Sequence, residues 1–317
     1  MSFFRYPGGK SKLRDTIAGK LNEYAKNHDL EYREPFYGGG SIGLKFLADN
    51  SGWQKFWLND KDVGVACLWT SVIRYHEEFK QKIMDFKPSV KHFDEFKEEL
   101  LANNPMPKQR SKVVEYGFKK LAIHQISYSG LGTKSGGPLG GRDQKSKYPI
   151  DCRWSPEYIC GKVDKLHGLF AGMVVREEAC TNLDFAELIK DNRHPALIYL
   201  DPPYYDKGVD LYQHSFTEED HKRLALALKE TDHDWVLSYD ECDEIRHLYN
   251  GWANVDTIDG VKYSITATKD KETKERKSTA KPELLITPLS NRKKSTKGIL
   301  NVRELSKTNG SGLHVSG

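Results

Sequence analysis

The 317-residue chain has no run of about 18 consecutive apolar residues, so nothing in it reads as a membrane span. Its opening, Met1-Ser2-Phe3-Phe4-Arg5-Tyr6, lacks the apolar core of a secretory signal, and a cytoplasmic location is expected. Cysteine is scarce: the five residues form no C-x-x-C pair, which excludes a disulfide framework or a zinc cluster. The histidines show no H-E-x-x-H or other metal spacing, so no metal is expected. No internal repeat is visible, so the chain does not read as a repeat array. Excess charge is small as well. Of the formal +4, the residues from Asn291 onward carry a net +5, which leaves the body near −1. Bulk charge is therefore no argument for nucleic acid, and any such surface must come from local clustering.

What is present is an alternation of strands and helices. Short apolar runs bounded by turn residues predict buried strands at Phe56–Leu58, Met173–Val175, Ala196–Leu200, Trp235–Ser238 and Leu284–Ile286. Helical spacing follows Asp62 (Val65, Leu68, Trp69, Val72, Ile73) and Thr217, where Thr217-Glu218-Glu219-Asp220 is a capping signature. Such alternation predicts a mostly parallel sheet with helices on both faces and ligands beyond the strands' carboxyl ends. Residues 88–165 break the rhythm with charged helical stretches and then a glycine-rich basic segment, and read as an inserted lobe. From Ser290 the composition predicts a flexible basic tail, and Lys293, Lys294 and Lys297 there offer at most a salt-sensitive attraction to DNA.

Two motifs carry chemistry. Gly38-Gly39-Gly40-Ser41-Ile42-Gly43 fits G-x-G-x-x-G, and Asp60 follows Gly40 at the spacing of a ribose-binding acid. Nicotinamide enzymes and methyltransferases both use this arrangement. Glu34-Pro35-Phe36 ahead of the loop, and no helix-forming stretch suited to a pyrophosphate after it, lean toward a methyltransferase. The second motif, Asp201-Pro202-Pro203-Tyr204, directly follows an apolar strand. The prolines stiffen the loop and remove two backbone donors. Asp201 and the Pro202 carbonyl can then accept the two hydrogens of an exocyclic amine, and the Tyr204 ring can stack on a base. The plain alternative, an Asp-Pro turn ending a strand, leaves the pairing with the glycine loop unexplained.

In order along the chain, Phe4-Arg5-Tyr6-Pro7-Gly8-Gly9-Lys10, Glu34 to Ser41, Asn59-Asp60, Asp201 to Tyr204 and the closing Pro282–Thr287 resemble the Dam-type, alpha-group D12 class of DNA adenine-N6 methyltransferases. The resemblance implies an α/β fold: a Rossmann-like S-adenosylmethionine-dependent sheet with an inserted, mainly helical target-recognition domain. The catalytic domain would comprise 1–87 and 166–289, the recognition domain 88–165 and the tail 290–317. S-adenosylmethionine would be held by Tyr6, Lys10, Glu34, Phe36, Gly38, Gly40, Asp60, Asp184, Phe185 and Asp201. Asp201, Pro202 and Tyr204 would hold a flipped adenine, with Tyr212 and Phe216 shaping the base pocket.

Double-stranded DNA would meet Tyr128, Arg142, Lys147 and Arg153, in a region where Lys145, Tyr148 and Trp154 also interleave charge with aromatic rings. The stretch from Gly136 to Arg153 departs from the pattern of such enzymes, so the resemblance carries no recognition sequence. A monomer or weak dimer is expected, and a cognate restriction endonuclease acting separately stays open. Lys10 follows Gly8-Gly9, but the spacing of a phosphate-binding loop is absent. Three rivals remain: a dehydrogenase, which leaves the Asp-Pro-Pro-Tyr loop unexplained; a DNA-binding protein without catalysis, against which Asp201 and Tyr204 argue; and a methyltransferase for another amine, in which Asn is usual at the position of Asp201.

Overall fold

The computed structural model describes residues 3–4, 10, 13–25, 29–102, 104–205, 214–261, 268–269, 276–277, 281–290 and 292. Along the chain run α1 (Arg14–Tyr24), β1 (Glu31–Glu34), α2 (Ser41–Asp49), β2 (Lys55–Asn59), α3 (Val63–Arg74), α4 (His76–Asp85), α5 (Val90–Leu101), α6 (Arg110–Ile126) and α7 (Pro156–Phe170). There follow β3 (Val174–Thr181), α8 (Phe185–Lys190), β4 (Ala196–Leu200), α9 (Glu218–Glu230), β5 (Asp234–Asp240), α10 (Asp243–Tyr249) and β6 (Ala253–Val261). Two short strands, β7 (Thr268–Lys269) and β8 (Arg276–Lys277), pair with each other, and β9 (Lys281–Pro288) closes the series.

The main sheet has seven strands in the order β3-β2-β1-β4-β5-β9-β6. The first five are parallel to one another, while β9 lies antiparallel between β5 and β6. Its inner strands alternate with period two, and both faces are buried. Leu197, Tyr199, Val236 and Leu285 point into a core built with α1 to α7, whereas Ile198, Leu200, Trp235, Leu237, Leu284 and Ile286 point into a second core under α8, α9 and α10. Such strands read as continuous apolar runs, which is why four of them are visible in the sequence.

The exception is β1, Glu31-Tyr32-Arg33-Glu34, buried along its length in the interior of the sheet. Burying Arg33 is tolerable because its guanidinium is fully engaged. It donates to Glu31 Oε2 and to the carbonyls of Leu188 and Asp191, each at 2.7 Å, and to that of His194 at 3.0 Å.

α2 begins at Ser41, directly after the glycine loop, which corrects the expectation that no helix-forming stretch follows it. Gly43 lowers the local propensity, but Ile42, Leu44, Phe46 and Leu47 bury one face of the helix, and tertiary packing decides. Within residues 88–165, Phe93, Phe96, Leu100, Phe118 and Leu121 join the same core as Leu68 and Trp69 of α3.

Candidate active site

Strand order reverses between β1 and β4, the neighbours from which the chain winds outward in opposite directions. The crevice at such a point, beyond the carboxyl ends of the strands, is where open α/β sheets bind ligands. A cavity of about 390 Å³ occupies it. Its walls are the loop after β1 (Glu34 to Ile42), Asn59 to Asp62 after β2, Leu183 to Phe185 after β3, Asp201 and Pro203 after β4, and His214 to Phe216.

The glycine loop is braced from two sides. Gly38 N–H donates to Asp60 Oδ2 at 2.7 Å, and the Trp69 indole donates to the Gly38 carbonyl at 2.8 Å. Gly40 caps α2 with φ +67°, and a Cβ there would lie 2.8 Å from Trp69 Cζ2, so only glycine fits. The second oxygen of Asp60 accepts the Asp62 N–H at 2.8 Å.

The walls are rich in carboxyls. Burial pushes Glu34 well above the usual carboxylate range, with the charges of Asp201 and Asp60 adding to it against a 2.7 Å bond from Tyr32. Asp60 is pushed up to about 7 by burial and by Asp62. Asp201 is also raised by burial, although Lys10 opposes the rise. Three carboxyls that resist ionisation around one cavity favour a positively charged ligand. Three rings add an apolar surface: Phe36 lies 5.8 Å from Phe185 and 5.5 Å from Phe216, and Phe185 lies 5.3 Å from Phe216, centroid to centroid.

The Asp-Pro-Pro-Tyr loop meets Lys10 and, on β9, Glu283. The buried Lys10 ammonium lies 2.7 Å from Asp201 Oδ1 and 2.9 Å from the Tyr204 hydroxyl. That hydroxyl donates to Glu283 Oε1 on β9 at 2.8 Å, and Glu283 Oε2 is 3.6 Å from Lys10. Ser238 on β5 reaches Asp201 Oδ1 at 3.4 Å. Tyr204 is buried and, like Lys10 and Pro202, is not among the residues lining the cavity.

Asp184 lines the cavity, but its carboxylate also caps α8 through Ala186 N–H (3.0 Å) and pairs with Arg223 (2.9 Å). Phe216 lies with Phe36 and Phe185 rather than against Tyr204. Tyr6, Tyr212 and the tail lysines fall outside the described residues.

Away from the cavity, Tyr128 is 72% exposed on a loop tied down by pairing of Ser127 with Pro138. Arg153 donates to the carbonyls of Ser127 and Tyr128, both at 3.4 Å, and so supports that loop from within. Arg142 forms a two-pronged pair with Asp94 at 2.9 and 3.0 Å. Lys145, Lys147 and Tyr148 are exposed, whereas Trp154 packs edge-on against Phe86 at 5.0 Å.

Sequence reasoning passed over Glu283, His214 and Lys120. Glu283 had been read only as part of a closing strand, and Lys120, buried against Asp62, only as one charge on a helix.

Sheet order and site together define a Rossmann-like methyltransferase fold. Residues 6–135 and 173–265 match the model of the D12 class N6 adenine-specific DNA methyltransferase family, and the chain belongs to that family. It is thus an enzyme that methylates adenine N6 in DNA. The match omits residues 136–172, which hold Arg142, Lys147 and Arg153. No curated protein matches the chain.

Proposed function

We propose that the protein transfers a methyl group from S-adenosylmethionine to N6 of an adenine flipped out of double-stranded DNA. The observation that carries this reading is the meeting, at one switch point, of an acid-walled cavity with Asp201 of the Asp-Pro-Pro-Tyr loop. The residues fit the cofactor. Raised carboxyls at Glu34, Asp60 and Asp201 are relieved by a cationic ligand, and the Phe36, Phe185 and Phe216 rings offer apolar faces to an adenine. When bound, S-adenosylmethionine supplies an electrophilic methyl carried on a sulfonium.

Asp60 accepts from the ribose, and Glu34 sits among the groups that answer the positive charge. Lys10 and Ser238 both address Asp201 Oδ1, so Oδ2 accepts one N6 hydrogen while the Pro202 carbonyl accepts the other. The nitrogen lone pair is thereby directed at the methyl. As positive charge develops on N6, both bonds strengthen, and catalysis is positioning and electrostatics without a covalent enzyme intermediate. Unstacking the base costs a few kcal/mol. Contacts from Tyr128, Lys147 and Arg142 to the duplex offset that cost, with Arg142 exchanging Asp94 for a phosphate.

Incubation of the purified protein with unmethylated genomic DNA and S-adenosylmethionine, followed by nucleoside mass spectrometry, tests the reading. N6-methyldeoxyadenosine is the expected product. Its absence with the cofactor bound sinks the proposal.

A further inference from the structure

Lys120 belongs to α6, in the segment 88–165 that the resemblance assigns to target recognition, yet its ammonium pairs with Asp62, a wall residue of the proposed cofactor cavity. At 3% exposure it is no solvated helix charge. The fold makes room for it twice. At Gly117, α6 lies so close to α3 that a Cβ would come within 2.7 Å of the Cys67 carbonyl oxygen and of Leu68 Cα. The Lys120 side chain then passes over Gly64, where a Cβ would sit 2.9 Å from Lys120 Cδ.

Asp62 is held from several directions. Its carboxylate accepts Val65 N–H at 3.1 Å, which caps α3, and its own N–H is the 2.8 Å donor to Asp60. One turn beyond Lys120 on α6, His124 Nδ1 lies 2.9 Å from the Gly130 carbonyl, in the loop that presents Tyr128. One helix therefore touches both the cofactor wall and the DNA-facing loop.

We propose that Lys120 is a positioning residue for the cofactor, fixing Asp62 and, through the Asp62 N–H, setting Asp60 as a charged acceptor for the ribose. The inference rests on the proposed use of the cavity for S-adenosylmethionine. Asp60 titrates near 7 because burial and the Asp62 charge raise it, while the N–H groups of Asp62 and Gly38 and the Lys120 charge lower it. Burial works against ionised Asp62 too, but Lys120 and the Val65 N–H hold it below the usual carboxylate range. The other titratable and charged groups facing the pair are Glu34 from β1, Lys61 and His214 from the adjoining loops, and the thiols of Cys67 on α3 and Cys180 on β3. With Asp62 still ionised through the Val65 N–H, taking away Lys120 alone moves Asp60 further up. Taking away Lys120 and the Asp62 charge together moves it down, because Asp62 is the larger influence.

The experiment is calorimetric titration of S-adenosylmethionine into the full chain between pH 5.5 and 9, for wild type, K120M, D62N and the double variant K120M/D62N. Wild-type binding is expected to strengthen as pH rises through about 7. In K120M the midpoint rises by about one pH unit, with about fivefold weaker binding at pH 7. In K120M/D62N, which leaves no buried carboxylate stripped of its lysine, the midpoint falls below that of wild type. Opposite shifts are a signature that lost packing does not produce. Should K120M fail to fold, K120M/D62N is compared with D62N, which keeps the lysine: a higher midpoint in the double variant supports the role of Lys120, and equal midpoints overturn it. Where K120M folds, a midpoint equal to that of wild type overturns the role of Lys120. Absence of binding by the wild type at every pH is a different result, which removes the proposed function itself and this inference with it.

Discussion

Lys10 and Asp201, separated by almost two hundred positions in the chain, lie 2.7 Å apart, with the lysine fully buried and the carboxylate at the cavity edge. An ammonium in that position keeps the carboxylate charged in a place that disfavours charge. Without it, burial and the neighbouring Glu283 raise Asp201 against the hydrogen bond from Ser238. Lys10→Met is expected to move the acid limb of kcat to higher pH and to lower turnover about ten- to a hundredfold at neutral pH. The sign follows from the proposed role: an ionised Asp201 accepts from N6 more strongly than a protonated one, and that form is lost as pH falls through its pKa. A pH–rate profile of methyl incorporation checks it, and an unmoved limb removes Lys10 from this role.

Asp201→Ala is expected to abolish methyl transfer with the fold intact. The buried Lys10 keeps Tyr204 and Glu283 as partners, so the variant is not left with an isolated charge. Near-wild-type turnover, alongside an unchanged circular dichroism spectrum, would contradict the assignment of the amine to Asp201.

Gly40→Ala places a side chain at φ +67° and 2.8 Å from Trp69, the residue that holds the Gly38 carbonyl. The backbone strain alone costs about 1–3 kcal/mol. A lower Tm together with weaker S-adenosylmethionine binding is expected in thermal and calorimetric titrations. Loss of stability with unchanged cofactor affinity would separate the glycine loop from the ligand.

His221 is buried beside Tyr239, and burial depresses its pKa to about 4 despite nearby Asp220. The unfolded chain binds this proton below about pH 6.5, whereas the folded one refuses it until about 4. Its contribution is thus complete above about 6.5 and is lost as pH falls from there toward 4. His221→Gln should flatten the fall in unfolding free energy across that window by up to about 1.4 kcal/mol per pH unit. Urea denaturation at several pH values measures the slope, and an identical slope in the variant would refute the linkage.

Much of the architecture was readable because apolar strands announce themselves. β4, β5 and β9 carry alternating side chains that are buried on both faces, and each holds an unbroken apolar run: Ala196–Leu200, Trp235–Leu237 and Leu284–Ile286. The interior strand β1 was not readable in that way. Its Glu31, Arg33 and Glu34 look like a surface segment until the carbonyls of Leu188, Asp191 and His194 converge on Arg33. The glycine loop and the Asp-Pro-Pro-Tyr loop could be found because local backbone chemistry constrains them. Glu283, Lys120 and the double duty of Asp184 depend on contacts between distant parts of the chain, and no local pattern encodes them.

The placement of β9 bears on how the enzyme comes into being at the ribosome. β9 is made after β5 and β6 yet must slide between them, and it brings Glu283 up to Tyr204 and Lys10. A nascent chain halted before Lys281 has β5 and β6 without the strand that joins them to one sheet, and its Lys10–Tyr204 contact is without its acidic partner. Closure of the sheet, and of the cluster that holds the Asp-Pro-Pro-Tyr loop, thus waits for this late strand.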